Sequence, residues 1–415
     1  MSTGSEPLGR RFTVLMGCLL LSSLGNGLCF PFTAIYISEL LGLGSGSAGG
    51  YFIAMAAASF TAALLGGPLA DRTGPHRVGA LGATALGVGY ALLAPAQGTA
   101  LVLVSGAGVG VGFGLFYAAI VGVVDGAVPE SRRRTAFTVR HIVNNAGIGA
   151  GSVIAGLALA GGGAPTGTLR WLYVANAVAA LPLVAAIHAL RPRRDPAAAD
   201  PAGAATAGAD QGPGYRVLLR SGPMALLIAA QALFAIVGFT QIEATVPLLM
   251  HDRMAVTLVW VSAVVAANSF ALVLLQPLGR RWFERLPETV SLAAGPVLWV
   301  LAFGCGWLAA LLDGAGGPVL RYGLLLAFAV VFAAGELSYS SAFYPLLLRW
   351  AGESSAGRAG ALASLAWNLG TASGPPIGLL VIAHTSAAGS WTALTAGAVA
   401  AFAVAAALHR SAARG

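Results

Sequence analysis

Two carboxylates and one guanidinium lie inside long apolar runs of the chain: Glu243, Glu336 and Arg140. A charge at mid-bilayer costs at least about 2.5–3.5 kcal/mol on insertion scales, so each is a candidate for function. The chemistry such carboxyls can do is proton coupling. Desolvation favours the neutral acid and a nearby cation favours the ionised form, so one group can hold a proton in one state and give it up in another. Glu243 is flanked by Gly238 and Pro247, which can break a helix locally. Gln241 is two residues away, about 200° around an ideal helix, so both face one cavity only if the helix unwinds there. The stripe Gln231, Gly238, Gln241, Thr245 is the more regular polar face. Glu336 sits deep in its run with Tyr339 and Ser340 one turn on. The plainer roles are an outer-gate hydrogen-bond anchor for Glu243 and a buried structural pair for Glu336. Arg140 is about one turn inside its run, at the head of a stripe with Asn144, Gly147 and Gly151. It either snorkels to the headgroups or ties neighbouring elements, or it binds an anion.

Uncharged polar and aromatic residues complete the candidate set. Ser23, Asn26, Phe30 and Thr33 share one helical face, with Pro31 a kink. Asn144, Asn145, Asn268, Trp367 and Asn368 lie in other runs. Amides and rings suit an amphipathic organic ligand selected by shape and stacking. For any single Asn, a hydrogen bond between helices is the ordinary alternative.

The elements that must position these residues are membrane helices. Of 415 residues 57% are hydrophobic and 9% charged, against roughly 25% charged in an average soluble domain. The mean hydropathy is +0.80. Too little polar surface exists to face water, so lipid is the solvent. Twelve apolar runs are long enough to span: 12–37, 48–70, 78–96, 100–124, 136–160, 170–190, 223–249, 256–278, 289–312, 321–347, 359–383 and 391–408. Closed barrels show shorter, alternating segments, so helices are expected. The first run reads as a retained helix and not as a cleaved signal.

The net charge of +8 is carried by arginine alone. Nineteen of the 23 arginines lie at the termini or in loops after even-numbered spans. Only Arg170, Arg253 and Arg321 lie in loops after odd-numbered spans, and Arg140 is inside span 5. This asymmetry predicts an inner-membrane protein with both termini in the cytoplasm. Arginines in short clusters between apolar runs fit that rule better than a nucleic-acid face. Cys18, Cys29 and Cys305 lie in apolar runs without CxxC spacing, so neither a disulfide framework nor a metal site is expected.

One long Pro-, Ala-, Gly- and Asp-rich stretch, 191–221, reads as a cytoplasmic linker. It divides the chain into a six-helix bundle at 1–190 and another at 222–415. The halves echo each other. Asn145, Gly147 and Gly151 recur as Asn368, Gly370 and Gly374, and Pro68-Leu69 recurs as Pro277-Leu278 before arginine. Two related six-helix halves bind substrate between them near the midplane.

The loop after span 2 reads Gly67-Pro68-Leu69-Ala70-Asp71-Arg72-Thr73-Gly74-Pro75-His76-Arg77. It is similar to the G-x-L-x-D-R-x-G-[RK]-[RK] signature of the major facilitator superfamily, with Pro75 where a basic residue is usual. Gly370-Thr-Ala-Ser-Gly374-Pro375-Pro-Ile-Gly378 in span 11 resembles the antiporter signature, which in that family sits chiefly in span 5. The whole pattern is most similar to twelve-helix drug:proton antiporters. The resemblance implies an all-α membrane fold of two pseudo-symmetric six-helix bundles that alternate access by rocking. It further implies a cytoplasmic gate at Gly67, Asp71, Arg72, Gly74 and Arg77, with Asp71 pairing near Arg358. Asp125 and Arg132–Arg134 can join that network.

Span 4 has glycines at every second position from Gly106 to Gly114, but no G-x-G-x-x-G and no strand–helix unit. Gly106, Gly110 and Gly114 have the small-xxx-small spacing of close helix packing. No Walker motif is present, so no cofactor is expected and the energy source is an ion gradient. Paired carboxylates at useful spacing, metal clusters and nucleophile motifs are absent, which places an enzyme or receptor last. The expected function is proton-coupled export of a small amphipathic compound, with Glu243 and Glu336 as coupling candidates. Uptake or facilitated movement of a small metabolite is the alternative. The expected partners are the substrate and lipid, with no nucleic acid, and the expected state is a monomer.

Overall fold

A computed structural model describes residues 8–129, 132–190, 215–283, 285–312, 317–351 and 356–413. Twelve long helices run through them. In the first half these are α1 (Arg10–Leu40), α2 (Gly44–Thr73), α3 (Pro75–Leu93), α4 (Thr99–Asp125), α5 (Arg133–Ala160) and α6 (Pro165–Ala189). In the second they are α7 (Gly222–Arg253), α8 (Leu258–Phe283), α9 (Glu288–Leu311), α10 (Pro318–Ala351), α11 (Ala356–His384) and α12 (Ala387–Ala412). Eleven are long and apolar enough to cross a membrane by composition. The exception, α3, has 19 residues and lies between α4 and α6. At 1.5 Å per residue it still reaches about 28 Å. Its first turn carries His76 and Arg77, which lower the mean hydropathy of so short a helix.

Most of the 191–221 stretch, 191–214, lies outside the described residues. Its last part is helical, Tyr215–Arg220, and leads into α7.

The packing repeats with a shift of six helices. In the first half α1 packs on α5 and α6, α4 on α2 and α3, and α3 on α6. In the second α7 packs on α11 and α12, α10 on α8 and α9, and α9 on α12. Between halves, α5 packs on α8 and α2 on α11, which are symmetry-related contacts.

Glycines set the close approaches. A Cβ at Gly106, Gly110 or Gly114 would meet the backbone oxygens of Tyr51, Met55 and Ser59, so this face of α4 lies on the backbone of α2. Gly112 faces Leu86 of α3. The expected small-residue packing of span 4 is therefore present on two faces. The duplicated glycines do matching work. Gly147 and Gly151 take Ser23, Leu24 and Gly27 of α1, and Gly370 and Gly374 take Ala235, Ile236 and Thr240 of α7. The antiporter-like run of span 11 thus forms the bed on which α7 lies.

Two helices depart from α geometry where their sequences allow it. In α1, Phe30–Phe32 is a 3₁₀ turn with Pro31 at its start, so the expected kink is a tightened turn. In α7, Ala235–Phe239, Gln241–Thr245 and Leu249–Arg253 are wide, π-type turns. The helix around Glu243 is widened, not unwound.

Candidate functional site

The two halves meet at these irregular segments. Phe30–Phe32 and Thr33–Ile35 of α1 pack on Gln241–Thr245 and Val246–Leu248 of α7. The preceding stretches, Arg10–Cys29 and Gly222–Phe234, scarcely touch among the described residues. The seam is closed at the end bearing Glu39 and His251 and parts toward the end bearing Arg10 and Arg216. Arg170, Arg253 and Arg321 all lie at the closed end. Arg170 reaches the Tyr36 hydroxyl, Arg253 donates to Ile382 O at 2.8 and 3.1 Å, and Arg321 donates to Met254 O.

Glu243 stands at this junction. It is exposed, although its neighbours on α7 from Ala244 to Met250 are all buried. It lies within electrostatic reach of Tyr90 and Tyr117 across the seam and of Glu336 in its own half. Tyr117 is 53% exposed and also within reach of Arg140. The Glu243 carboxylate of α7 and the Arg140 guanidinium of α5 thus each lie within reach of the Tyr117 phenol of α4. Arg140 is half-buried, has an unpartnered Nε and forms no ion pair among the described residues. The hydroxyls of Tyr51 and Tyr90 are likewise buried without a partner.

Aromatic rings flank the junction from both halves. Phe30 meets Phe52 and Phe113 edge-on at 6.5 and 6.2 Å, and Phe113 stacks on Tyr117 at 5.9 Å. Opposite, Phe239 meets Trp367 at 4.8 Å and Tyr339 at 5.7 Å. Phe30, Phe113, Phe239 and Trp367 are each half-buried, so each keeps open surface for a ligand ring. Asn26 is half-buried one turn before Phe30.

Glu336 occupies a second, closed polar spot. It is 4% exposed, is hydrogen-bonded by the Asn268 side chain, and keeps Oε2 without a partner. Tyr339 is buried with an unpartnered hydroxyl, and Phe234 packs on its ring at 4.3 Å. Gln231, one turn before Phe234, is buried with an unpartnered Oε1.

Several sequence candidates are committed elsewhere. Gln241 does not face the seam with Glu243: the two diverge as an ideal helix requires. Gln241 is 2% exposed, donates to Ile236 O freed by the wide turn, and lines a crevice beside α11 and α12. The expected stripe from Gln231 to Thr245 is split, because Gly238 abuts the Trp299 ring while Thr240 and Thr245 lie on Gly374 and Gly378. Asn144 accepts from Ser23 at 3.0 Å and ties α5 to α1. Asn145 donates to His141 O and Asn368 to Ser364 O, each within its own helix. Asn268 also donates to Ala329 O at 3.3 Å, tying α8 to α10.

In the α2–α3 turn, Gly74 has φ 92° and supplies the left-handed corner, while Arg72 and Arg77 are exposed. Gly67 has open space where a Cβ would stand. Asp125 pairs with Arg133. The side chains of Asp71 and Arg358, and with them the expected gate pair, lie outside the described residues.

The profile of the Major Facilitator Superfamily matches residues 15–317. The chain belongs to the major facilitator superfamily. It is 30% identical over 375 residues to a chloramphenicol resistance protein of Streptomyces lividans, covering 84% of this chain and 83% of that one. Its fold is similar to that of the POT family transporter PepTSo, with 16% identity, a TM-score of 0.73 and 98% of each chain covered. It is also similar to that of the nucleoside transporter NupG, with 15% identity, a TM-score of 0.72, and 97% of this chain and 99% of that one covered. This superfamily member is a membrane-spanning secondary transporter and not an enzyme.

Sequence reasoning missed Phe113, Tyr117, Tyr51, Tyr90 and Phe239. The first two were signalled only by their i,i+4 spacing in span 4, where the glycine ladder drew the reading toward packing.

Proposed function

We propose that this transporter exports a small aromatic or amphipathic compound against proton influx. The observation that carries the reading is Glu243: an exposed carboxylate at the junction of the halves, within electrostatic reach of Tyr117 across the seam and of Glu336 in its own half. A ligand between the rings of Phe113, Tyr117, Phe239 and Trp367 competes with protons for that carboxylate. Glu336 is the second proton site, because an ionised carboxylate with an unpartnered oxygen in an apolar bundle is costly. Rocking of the halves about the α1–α7 contact then exposes the pair to either side. Similarity to a chloramphenicol resistance protein supports export of an uncharged aromatic amide.

The arginine distribution supports a plasma-membrane location with both termini in the cytoplasm, so the parted end of the seam faces the cytoplasm. The energy source in this reading is the proton gradient, with no cofactor, and the working unit is a monomer.

The test is transport in proteoliposomes with an imposed pH gradient, using chloramphenicol and an aromatic dye. The wild type moves substrate only with the gradient, and in its direction of efflux. Glu243→Gln and Glu336→Gln lose gradient-driven movement by at least about tenfold, as for loss of a proton-transfer group. Gradient-independent transport by all three proteins rejects proton coupling, and gradient-driven accumulation in the uptake sense rejects export.

A further inference from the structure

The two halves differ where the last helix of each crosses the first. In the N-terminal half α6 crosses α1 at Gly25, and the residue lying on that glycine is Asn176. Asn176 Nδ2 donates to Cys29 Sγ at 3.0 Å. One turn earlier on α6, Tyr173 donates its hydroxyl proton to Thr33 Oγ1 at 3.1 Å. So α6 supplies two polar side chains that seal the buried flank of α1.

In the C-terminal half α12 crosses α7 at Val237, and the residue there is Gly397. The residues one turn earlier are Ala393 and Leu394. None of these side chains can donate or accept a hydrogen bond. The side chains on α7 that they fail to meet are polar. Gln241 and Thr245 are each 2% exposed, and Gln241 Oε1 and Thr245 Oγ1 have no partner. Both line a crevice of about 200 Å³ between α7, α11 and α12, with Ile377, Gly378 and Ser390. Ile377 is 45% exposed on the outer face of α11 beside Leu380, so the crevice opens toward the hydrocarbon. The Gln241 amide cannot turn to satisfy itself, because its Nε2 is held by Ile236 O. An oxygen acceptor therefore stays fixed at the crevice floor.

We propose that this crevice is a binding site for a neutral, ring-sized molecule dissolved in the bilayer, which donates an O–H or N–H to Gln241 and contacts the Thr245 hydroxyl. The lining is apolar apart from Gln241, Thr245 and Ser390 and holds no charged residue, which disfavours a phospholipid headgroup. Apolar cavities of about 150 Å³ hold benzene, so this volume fits one substituted ring. The site is separate from the seam, since Gln241 and Glu243 lie on opposite sides of α7.

The test uses the full chain in phosphatidylcholine nanodiscs with a benzyl alcohol bearing a diazirine. Photolabelling is mapped by peptide mass spectrometry and competed with plain benzyl alcohol. Label concentrates on 236–245, 377–382 and 390–397, and competitor displaces it. Gln241→Leu keeps the apolar space and lowers saturable labelling about tenfold, the effect of losing one buried hydrogen bond. The pair Val237→Gly with Gly397→Asn copies the seal of the other half and abolishes labelling there. Where that pair fails to fold, as judged by gel filtration, Gln241→Leu decides alone. Label spread evenly over all lipid-facing helices, or unchanged in Gln241→Leu, overturns the proposal. So does equal crevice labelling by a phosphatidylcholine with a diazirine on its acyl chain that benzyl alcohol does not displace.

Discussion

Glu39 Oε2 in the last turn of α1 lies 3.5 Å from His251 Nε2 in the last turn of α7. It is a polar tie between the two halves at the closed end of the seam, beside Asp252 and Arg253. Both side chains are partly exposed, 32% and 24%, so the tie is worth no more than about 1 kcal/mol. That is enough to shift a near-balanced pair of conformations about fivefold. Glu39→Gln is expected to widen the closed end. Spin labels at Ser45→Cys on α2 and Ala383→Cys on α11, which border the same spot, report it by pulsed electron resonance. An unchanged distance distribution removes Glu39 from the closure.

Two glycines of the duplicated motif are predicted to be intolerant, and one glycine of the α2–α3 signature tolerant. A methyl at Gly151 meets Leu24 O, and one at Gly374 meets the Thr240 side chain, whereas Gly67 faces open space. Gly151→Ala and Gly374→Ala should each destabilise by about 1–3 kcal/mol, read as a lower unfolding temperature in detergent. Gly67→Ala should leave that temperature unchanged. Loss of transport in Gly67→Ala at full stability then assigns Gly67 to the rocking motion. A drop in stability equal to that of Gly151→Ala shows that its role is packing.

The helices were legible because hydrophobic length and arginine placement are set by the bilayer, which acts on every span alike. The duplication was legible because close helix packing demands glycine at fixed spacing, and Gly147, Gly151, Gly370 and Gly374 meet that demand. The site was legible only in part. That Gln241 and Glu243 diverge follows from helix geometry, but which one faces the seam depends on the wide turns of α7, where Gly238 and Pro247 signalled only that the helix can break locally. Two of the asparagines show the ordinary alternative, a hydrogen bond between helices. Asn144 and Asn268 are interhelical ties, as buried amides usually are. Tyr117 was overlooked because a tyrosine in an apolar span looks like core until its surface proves open.

Tyr117 lies within electrostatic reach of both Glu243 and Arg140, and the roles of Tyr117 and Arg140 can be separated. On the proposed function, Tyr117→Ala removes an aromatic contact and should weaken binding of an uncharged aromatic ligand about five- to tenfold, measured by calorimetry in detergent. Tyr117→Phe keeps the ring and should restore most of it. Arg140→Ala is expected to leave binding of an uncharged ligand within about twofold while binding of an anionic one is lost. Equal loss for both ligands points to a structural tie and against recognition of charge.

The position of Glu243 depends on a contact remote from it. Gly238 lies against the Trp299 ring of α9, and Gly335 of α10 lies against the same ring. Trp299 is fully buried, donates Nε1 to Phe332 O at 3.2 Å and stacks on Phe332 at 5.5 Å, so it cannot yield. A methyl at residue 238 therefore pushes α7 instead, at the wide turn just before Glu243. Gly238→Ala should cost about 1–3 kcal/mol of stability and reduce gradient-driven transport more than stability alone explains. Trp299→Phe, which shrinks the ring, should be mildly destabilising alone and should rescue Gly238→Ala. The expected interaction free energy in the double-mutant cycle is about 0.5–3 kcal/mol. Additive effects on unfolding temperature would mean that the ring does not hold the turn. Rescue of stability without rescue of transport would place the control of Glu243 elsewhere on α7.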